Sequence, residues 1–199
     1  DIVPKMMDSG KGNDEMVAPC NKIRLLPKDN DFNFFIAAAI PLSDENKPVS
    51  REVIIGNAEN VYASGNSMYI AATDWGGGYY RPYSENNTAV YKFSLDSGTI
   101  TYKTKGKIPG TILNQFSMDE HNGNFRIATT KNDEYSITNN LYVLDTDMKL
   151  LGTVENIAPG EKIYSTRFLG DRAYMVTFKR VDPLFVIDLK NPAAPKIVG

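Results

Sequence analysis

The sequence has one cysteine, one histidine and one tryptophan in 199 residues, and each scarcity removes a class of chemistry. A lone Cys20 can neither close an internal disulfide nor join a multi-cysteine metal cluster. With no His or Cys companion near it in sequence, it reads as a small buried hydrophobe and not as a reactive thiol. A single His121 excludes a multi-histidine zinc site, and its setting, Asp119-Glu120-His121-Asn122-Gly123, reads as a solvated hairpin turn. Neither sign of charge is in excess: 22 Lys and Arg stand against 24 Asp and Glu, a formal net charge of -2. That leaves no basic surplus to neutralise phosphates, so nucleic acid is not an expected partner. Apolar runs such as residues 34–40 fall far short of the roughly 20 residues that cross a bilayer as a helix.

Motifs with a known mechanism are also missing. There is no Gly-x-Ser-x-Gly nucleophile elbow and no Gly-x-x-x-x-Gly-Lys-Ser/Thr phosphate cradle. Asp29-Asn30-Asp31 has the composition of a calcium loop, but the central Gly and closing Glu that an EF-hand needs are absent. The opening Asp1-Ile2-Val3-Pro4-Lys5 shows no charged segment followed by an apolar one, so no signal peptide is read there. No catalytic residue, metal or cofactor is expected.

What the chain does have is 42% hydrophobic residues, enough for a core, arranged in short β-branched and aromatic runs with almost no 3.6-residue period. Strands are expected at 61–64, 67–73, 89–95, 100–105, 115–119, 125–130, 141–145, 150–155, 163–169, 173–179, 184–189 and 196–198. Gly and Asn, which tolerate positive φ, punctuate them at Ser64-Gly65-Asn66, Asp96-Ser97-Gly98, His121-Asn122-Gly123-Asn124 and Gly170-Asp171.

These runs repeat. The third strand of each unit closes on Asp: Val90-Tyr91-Lys92-Phe93-Ser94-Leu95-Asp96, then Leu141-Tyr142-Val143-Leu144-Asp145, then Leu184-Phe185-Val186-Ile187-Asp188, with Asp positions 49 and 43 residues apart. Each Asp is expected to cap backbone N–H groups in the turn that follows. The fourth strands carry Gly106, Gly152 and Gly199, 46 and 47 residues apart, and two run into Ile108-Pro109-Gly110 and Ala158-Pro159-Gly160. Four strands recurring every 40 to 50 residues is the pattern of propeller blades. A β-sandwich, the competing all-β architecture, does not require such recurrence.

An all-β fold follows: a β-propeller arc of about four blades, each a four-stranded antiparallel sheet, cut from a larger propeller. Residues 1–31 form an N-terminal loop and partial blade, the first 15 reading as loop or frayed end. The blades fall at about 32–57, 58–110, 111–160 and 161–199. In the first, residues 34–40 stand as third strand and 50–56 as fourth, with 16–18 and 22–27 offered as inner strands. By this register a complete propeller continues past Gly199.

The segment Asn140-Leu141-Tyr142-Val143-Leu144-Asp145, then Ile157-Ala158-Pro159-Gly160-Glu161-Lys162-Ile163-Tyr164-Ser165-Thr166-Arg167-Phe168, then Gly170-Asp171-Arg172-Ala173-Tyr174 and residues 176–189 resembles the secreted β-propeller domain family of bacteria and archaea, distantly related to WD repeats. The resemblance is strongest over 139–199 and extends more loosely back to about residue 32. It implies an extracytoplasmic location, secreted or at the cell surface, and carries over no functional residue.

The most informative local feature is an insertion between second and third strands of the first full unit: Asp74-Trp75-Gly76-Gly77-Gly78-Tyr79-Tyr80-Arg81-Pro82-Tyr83-Ser84-Glu85-Asn86-Asn87. Trp75, Tyr79, Tyr80, Arg81 and Tyr83 are residue types that stack on sugar rings and dominate protein interfaces; the competing reading is that they pack the loop onto a neighbouring blade. Asn86-Asn87-Thr88 is formally a glycosylation sequon. Arg167, with Lys179 and Arg180, brings cations to strand ends, where they are expected to meet carboxylates or carbonyls. The expected function is an interaction module for a protein or polysaccharide. The alternative is a propeller-type hydrolase, perhaps glycan-acting, using channel carboxylates. Open end faces of an arc are expected to favour a homo-oligomer.

Overall fold

The structure, a computed structural model, describes residues 3–7, 12, 14–25, 33–42, 44, 46–56, 58–74, 86–133, 136–179 and 183–199. Among these there is no α-helix. Three four-stranded antiparallel sheets follow one another: β6 (Asn60–Ala63), β7 (Ser67–Asp74), β8 (Asn87–Asp96) and β9 (Thr99–Pro109); β10 (Met118–His121), β11 (Asn124–Asn132), β12 (Ile137–Leu144) and β13 (Leu150–Ile157); β14 (Lys162–Leu169), β15 (Arg172–Phe178), β16 (Leu184–Asp188) and β17 (Lys196–Ile197). We call them the second, third and fourth sheets. Each runs in sequence order across the sheet, the simple meander that two-residue hairpins permit.

The strands read as unbroken apolar runs because both faces are buried. In β12, Tyr142 and Leu144 pack back against Tyr69, Ala71 and Val90 of the second sheet, while Leu141 and Val143 pack forward against Ala173, Met175 and Ile187 of the fourth. β7 does the same, Met68 and Ile70 turning back and Tyr69 and Ala71 forward. The period of two survives, but neither face is polar.

The fourth-strand glycines explain how the sheets come this close. Gly106 pairs with Val90 and Gly152 with Val143, two valines buried toward the following sheet. A Cβ on Gly106 would lie 3.2 Å from Cβ of Met148, in the β12–β13 turn, and one on Gly152 would lie 2.4 Å from the carbonyl oxygen of Pro192, in the β16–β17 turn. The turn after each third strand thus seats in a notch on the outer strand of the preceding sheet. The strand-end aspartates hold those turns: Asp145 Oδ1 accepts from the N–H of Asp147 and of Lys149, both at 2.8 Å, and Asp188 Oδ1 from Lys190 at 3.0 Å. Asp96 instead accepts the Ser97 hydroxyl at 2.9 Å.

The N-terminal third differs from the sequence expectation. Residues read as loop form a hairpin of β1 (Lys5–Met7) and β2 (Asp14–Met16). β4 (Phe34–Ala39) and β5 (Ser50–Ile55) pair antiparallel as expected. β3 (Ile23–Leu25), however, is not an inner strand beside β4: it lies on the far side of β5 and parallel to it. A strand of three residues has no periodicity to read, and here burial of Ile23 with Val53 and Phe34 beneath Val3 and Met6 decides its place. Cys20 is exposed in the turn Cys20–Lys22 and not buried, because that turn joins the hairpin to β3 outside any sheet.

Replacing Gly152 by Ala should cost about 2–3 kcal/mol, an overpacking penalty against backbone atoms that cannot swing aside. Gly65→Ala, at a turn with nothing within 4 Å, should stay within about 0.5 kcal/mol. Urea denaturation of the two variants checks the contrast; equal midpoints would contradict the notch.

Candidate functional site

Successive sheets are linked at two rims. On one, the chain crosses from each fourth strand to the next first strand, and the loops between second and third strands emerge. Pro109-Gly110 and Pro159-Gly160 make the crossings, with φ of +85° at Gly110 and +82° at Gly160. Each glycine donates its N–H back to the start of the third strand, Gly110 to the Asn86 carbonyl at 2.8 Å and Gly160 to the Ile137 carbonyl at 2.7 Å. A side chain at Gly110 would come within 2.8 Å of the Thr130 carbonyl oxygen, so the crossing lies directly on the third sheet. Thr111 and Thr130 exchange two backbone bonds of 2.9 Å there, and the Thr129 hydroxyl donates to the Pro109 carbonyl at 2.7 Å. Asn139, fully buried, braces the next crossing from the sheet it leaves: its amide donates to the carbonyls of Ile157 and Glu161, both at 3.1 Å, and its oxygen accepts from the Thr130 hydroxyl of the same sheet at 2.8 Å.

The aromatic insertion leaves the second sheet at this rim. Trp75, Tyr79, Tyr80, Arg81 and Tyr83 lie outside the described residues, as do Asp29-Asn30-Asp31 and Arg180. The neck of the insertion is described. β7 and β8 stay in register to Asp74 opposite Asn87, Lys107 Nζ lies 3.0 Å from Asp74 Oδ2, and Thr73 donates to Glu59 at 2.7 Å. Thr88, the third residue of the sequon, is buried and donates to the Gly110 carbonyl at 2.7 Å. In the third sheet the corresponding connection is shorter in sequence, and the Asp133 N–H donates to the Ser136 carbonyl at 3.0 Å.

The opposite rim holds a polar latch that sequence reading missed. Glu120 of β10 accepts from the Ser64 hydroxyl at 2.7 Å and from Ser67 at 3.4 Å, and donates its N–H to the Tyr62 oxygen at 3.1 Å. Its neighbour Asp119 pairs with Arg126 and accepts from the Tyr62 hydroxyl at 3.4 Å. Arg126, buried, reaches forward to the Gly170 carbonyl at 2.6 Å with Phe168 under its guanidinium. His121, read as a solvated turn residue, is 3.3 Å from Asp171 of the fourth sheet. Partners 44 to 58 residues apart leave no local pattern to find. Arg167 behaves as expected of a strand-end cation, donating to the Thr166 carbonyl at 2.7 Å and stacking on Phe116. Among the described residues, Asp119 and Glu120 are the carboxylates on the first strands β6, β10 and β14 of the three full sheets, and both are engaged in these inter-sheet contacts.

Consecutive four-stranded meanders, each seated in its predecessor's notch, are the repeating unit of a propeller. A family model described as a β-propeller domain matches residues 1–199. The chain belongs to the β-propeller domain family. An uncharacterized protein of Methanocaldococcus jannaschii is 48% identical over 115 residues, 56% of this chain and 18% of the relative's length. An uncharacterized protein of Archaeoglobus fulgidus is 45% identical over 113 residues, 56% of the chain and 17% of the relative's length. The matched part of the propeller thus spans less than a fifth of either relative.

Burial raises three propeller tyrosines above the ordinary phenol value: Tyr69 and Tyr62 in the latch region, with the nearby Glu120 and Asp119 charges adding to it, and Tyr142, with Glu155 adding to it. A folded-state value above the unfolded one gives stability fully present below pH of about 10 and lost as pH rises through the folded values. Phenolate absorbance of these tyrosines should therefore appear together with unfolding in an alkaline titration. Tyr69→Phe, which removes a buried hydroxyl without a hydrogen-bond partner and keeps the ring stacked on Phe125, should move the alkaline midpoint upward.

Proposed function

We propose that this propeller is a non-enzymatic interaction module, located outside the cytoplasm, that offers the insertion between β7 and β8 to a protein or polysaccharide. The observation that carries the reading is the neck. Residues 75–85, with one Trp, three Tyr and one Arg, spring from a paired strand end braced by Lys107 and Asp74 beside a crossing bonded to the next sheet. A rigid base lowers the entropy lost when a loop is held in its binding arrangement. Aromatic side chains supply large contact area for few rotatable bonds.

The hydrolase alternative draws less support. Glycoside hydrolysis asks for two carboxyl groups roughly 5–10 Å apart that are free to hold a proton or attack. The first-strand carboxylates Asp119 and Glu120 instead hold Arg126, Tyr62, Ser64 and Ser67.

The test is a glycan array and a surface-protein capture with the wild-type chain, followed by titration of whatever binds. The Trp75→Ala, Tyr80→Ala double variant should weaken that binding more than about tenfold with thermal stability unchanged. Unchanged affinity would remove the loop from the site.

A further inference from the structure

The outer strand of the second sheet carries a row of cations that its counterpart one sheet on lacks. β9 presents Lys103, Lys105 and Lys107, all exposed, at every second residue. Strand geometry sets Lys105 and Lys107 on one face about 7 Å apart, with Gly106 between them on the other. Lys103 is the residue that the register shift between Lys92 and Phe93 leaves without a cross-strand partner. Beside it, Arg24 of β3 lies with its guanidinium 4.3 Å from the Tyr102 ring centroid. The ends of this cationic surface are neutralised and its middle is not. Lys107 pairs with Asp74, and Arg24 with Glu52 at 3.8 Å, whereas among the described residues neither Lys103 nor Lys105 joins an ion pair. Lysines on an edge strand can serve to keep it from pairing with another chain, but this fold does without them: β13, also an outer strand and also broken by register shifts, has Glu155 as its one charged residue. The excess is local, in a chain whose net charge is -2.

We infer that this lysine row is a binding surface for an acidic polysaccharide, a chain of sugars that bear carboxylates. Its position at the neck of the insertion decides the ligand. Lys107 Nζ lies 3.0 Å from Oδ2 of Asp74, the last described residue before the aromatic loop, so the row runs along β9 to the place where residues suited to stacking on sugar rings begin. A sugar chain held by the insertion and laid along β9 sets its carboxylates over the ammonium groups of Lys105 and Lys103, the two without a counter-charge. Each ammonium offers three rotatable donors on a flexible stem, which suits anions whose spacing does not match the strand. A neutral glycan leaves both lysines unused. Nucleic acid fits less well, since two unpaired cations neutralise too few of its closely spaced phosphates. The inference rests on the reading of the insertion as a sugar-binding loop and adds to it the charge of the ligand.

The test measures binding of the whole chain to two forms of one polymer, polygalacturonate and its methyl ester, which share a backbone and differ in charge. Polygalacturonate should bind at least about fivefold more tightly at low salt, an advantage that shrinks as ionic strength rises. Lys103→Ala with Lys105→Ala should remove the advantage and leave the urea midpoint unchanged, both sites being on the surface. Lys103→Arg with Lys105→Arg should keep it. Equal affinity of the wild-type chain for the two polymers would overturn the inference, as would no binding of polygalacturonate, or a preference that survives in the double alanine variant. Binding to phosphatidylglycerol vesicles as tight as to polygalacturonate, and lost in the same variant, would replace the polysaccharide by a lipid surface. The Trp75→Ala, Tyr80→Ala variant separates this inference from the reading it rests on. Equal binding of both polymers that this variant abolishes keeps the loop and removes the lysine row. A preference for polygalacturonate that it leaves intact, and that the double alanine variant abolishes, keeps the row and removes the loop.

Discussion

The distance between neighbouring sheets is the constraint from which the rest of the molecule follows. A four-stranded meander with apolar residues on both faces cannot be stable alone in water; each needs a neighbour near enough to exclude solvent from Val90 and Val143. A β-carbon on the outer strand would hold the next turn away. Glycine at 106 and 152 removes it, and the Asp-capped turns at Asp145 and Asp188 supply the rigid insert. The repeating Asp and the repeating Gly are thus two halves of one contact, made between consecutive units.

That contact also sorts the polar chemistry. The rims carry hydrogen bonds that link sheets one to the next, through Glu120 and Arg126 on one side and Thr130 and the Pro-Gly crossings on the other, and Lys92 and Thr104 donate to the Thr146 and Asp147 carbonyls of the seated turn. Apart from the hydroxyls of Tyr69, Ser117 and Thr166, the buried side-chain polar groups of the described residues are matched to partners whose loss would leave a desolvated donor or acceptor, so these rims set the angle between sheets more than they add net stability. The aromatic insertion rises from the crossing rim, where its ends are fixed on both strands. Loop variation on such a frame changes what is bound without disturbing what folds.

The fold was legible because its unit is short and repeats. The runs ending at Asp96, Asp145 and Asp188, the glycines at 106 and 152 and the Pro-Gly crossings all recur at fixed offsets, and recurrence turns weak local signals into a strong one. Their purpose was not legible, since a glycine that admits Met148 or Pro192 looks in sequence like any glycine in a strand. The Tyr62–Asp119–Arg126–Gly170 chain escaped for the same reason: its members belong to three sheets. The parallel placement of β3 and the exposure of Cys20 lay in segments too short for periodicity, where packing alone decides. Of the candidate site, sequence supplied the residue types of the insertion and structure supplied its base.

The central claim, that successive sheets touch through a turn seated on a glycine, is tested most directly by a double-mutant cycle across the first such contact. Gly106→Ala, Met148→Gly and the double variant would be compared with the wild-type chain by urea denaturation. Seated contact predicts that the alanine is far better tolerated when Met148 is absent, with a coupling of at least about 1 kcal/mol. Additivity of the two substitutions within about 0.5 kcal/mol would contradict it.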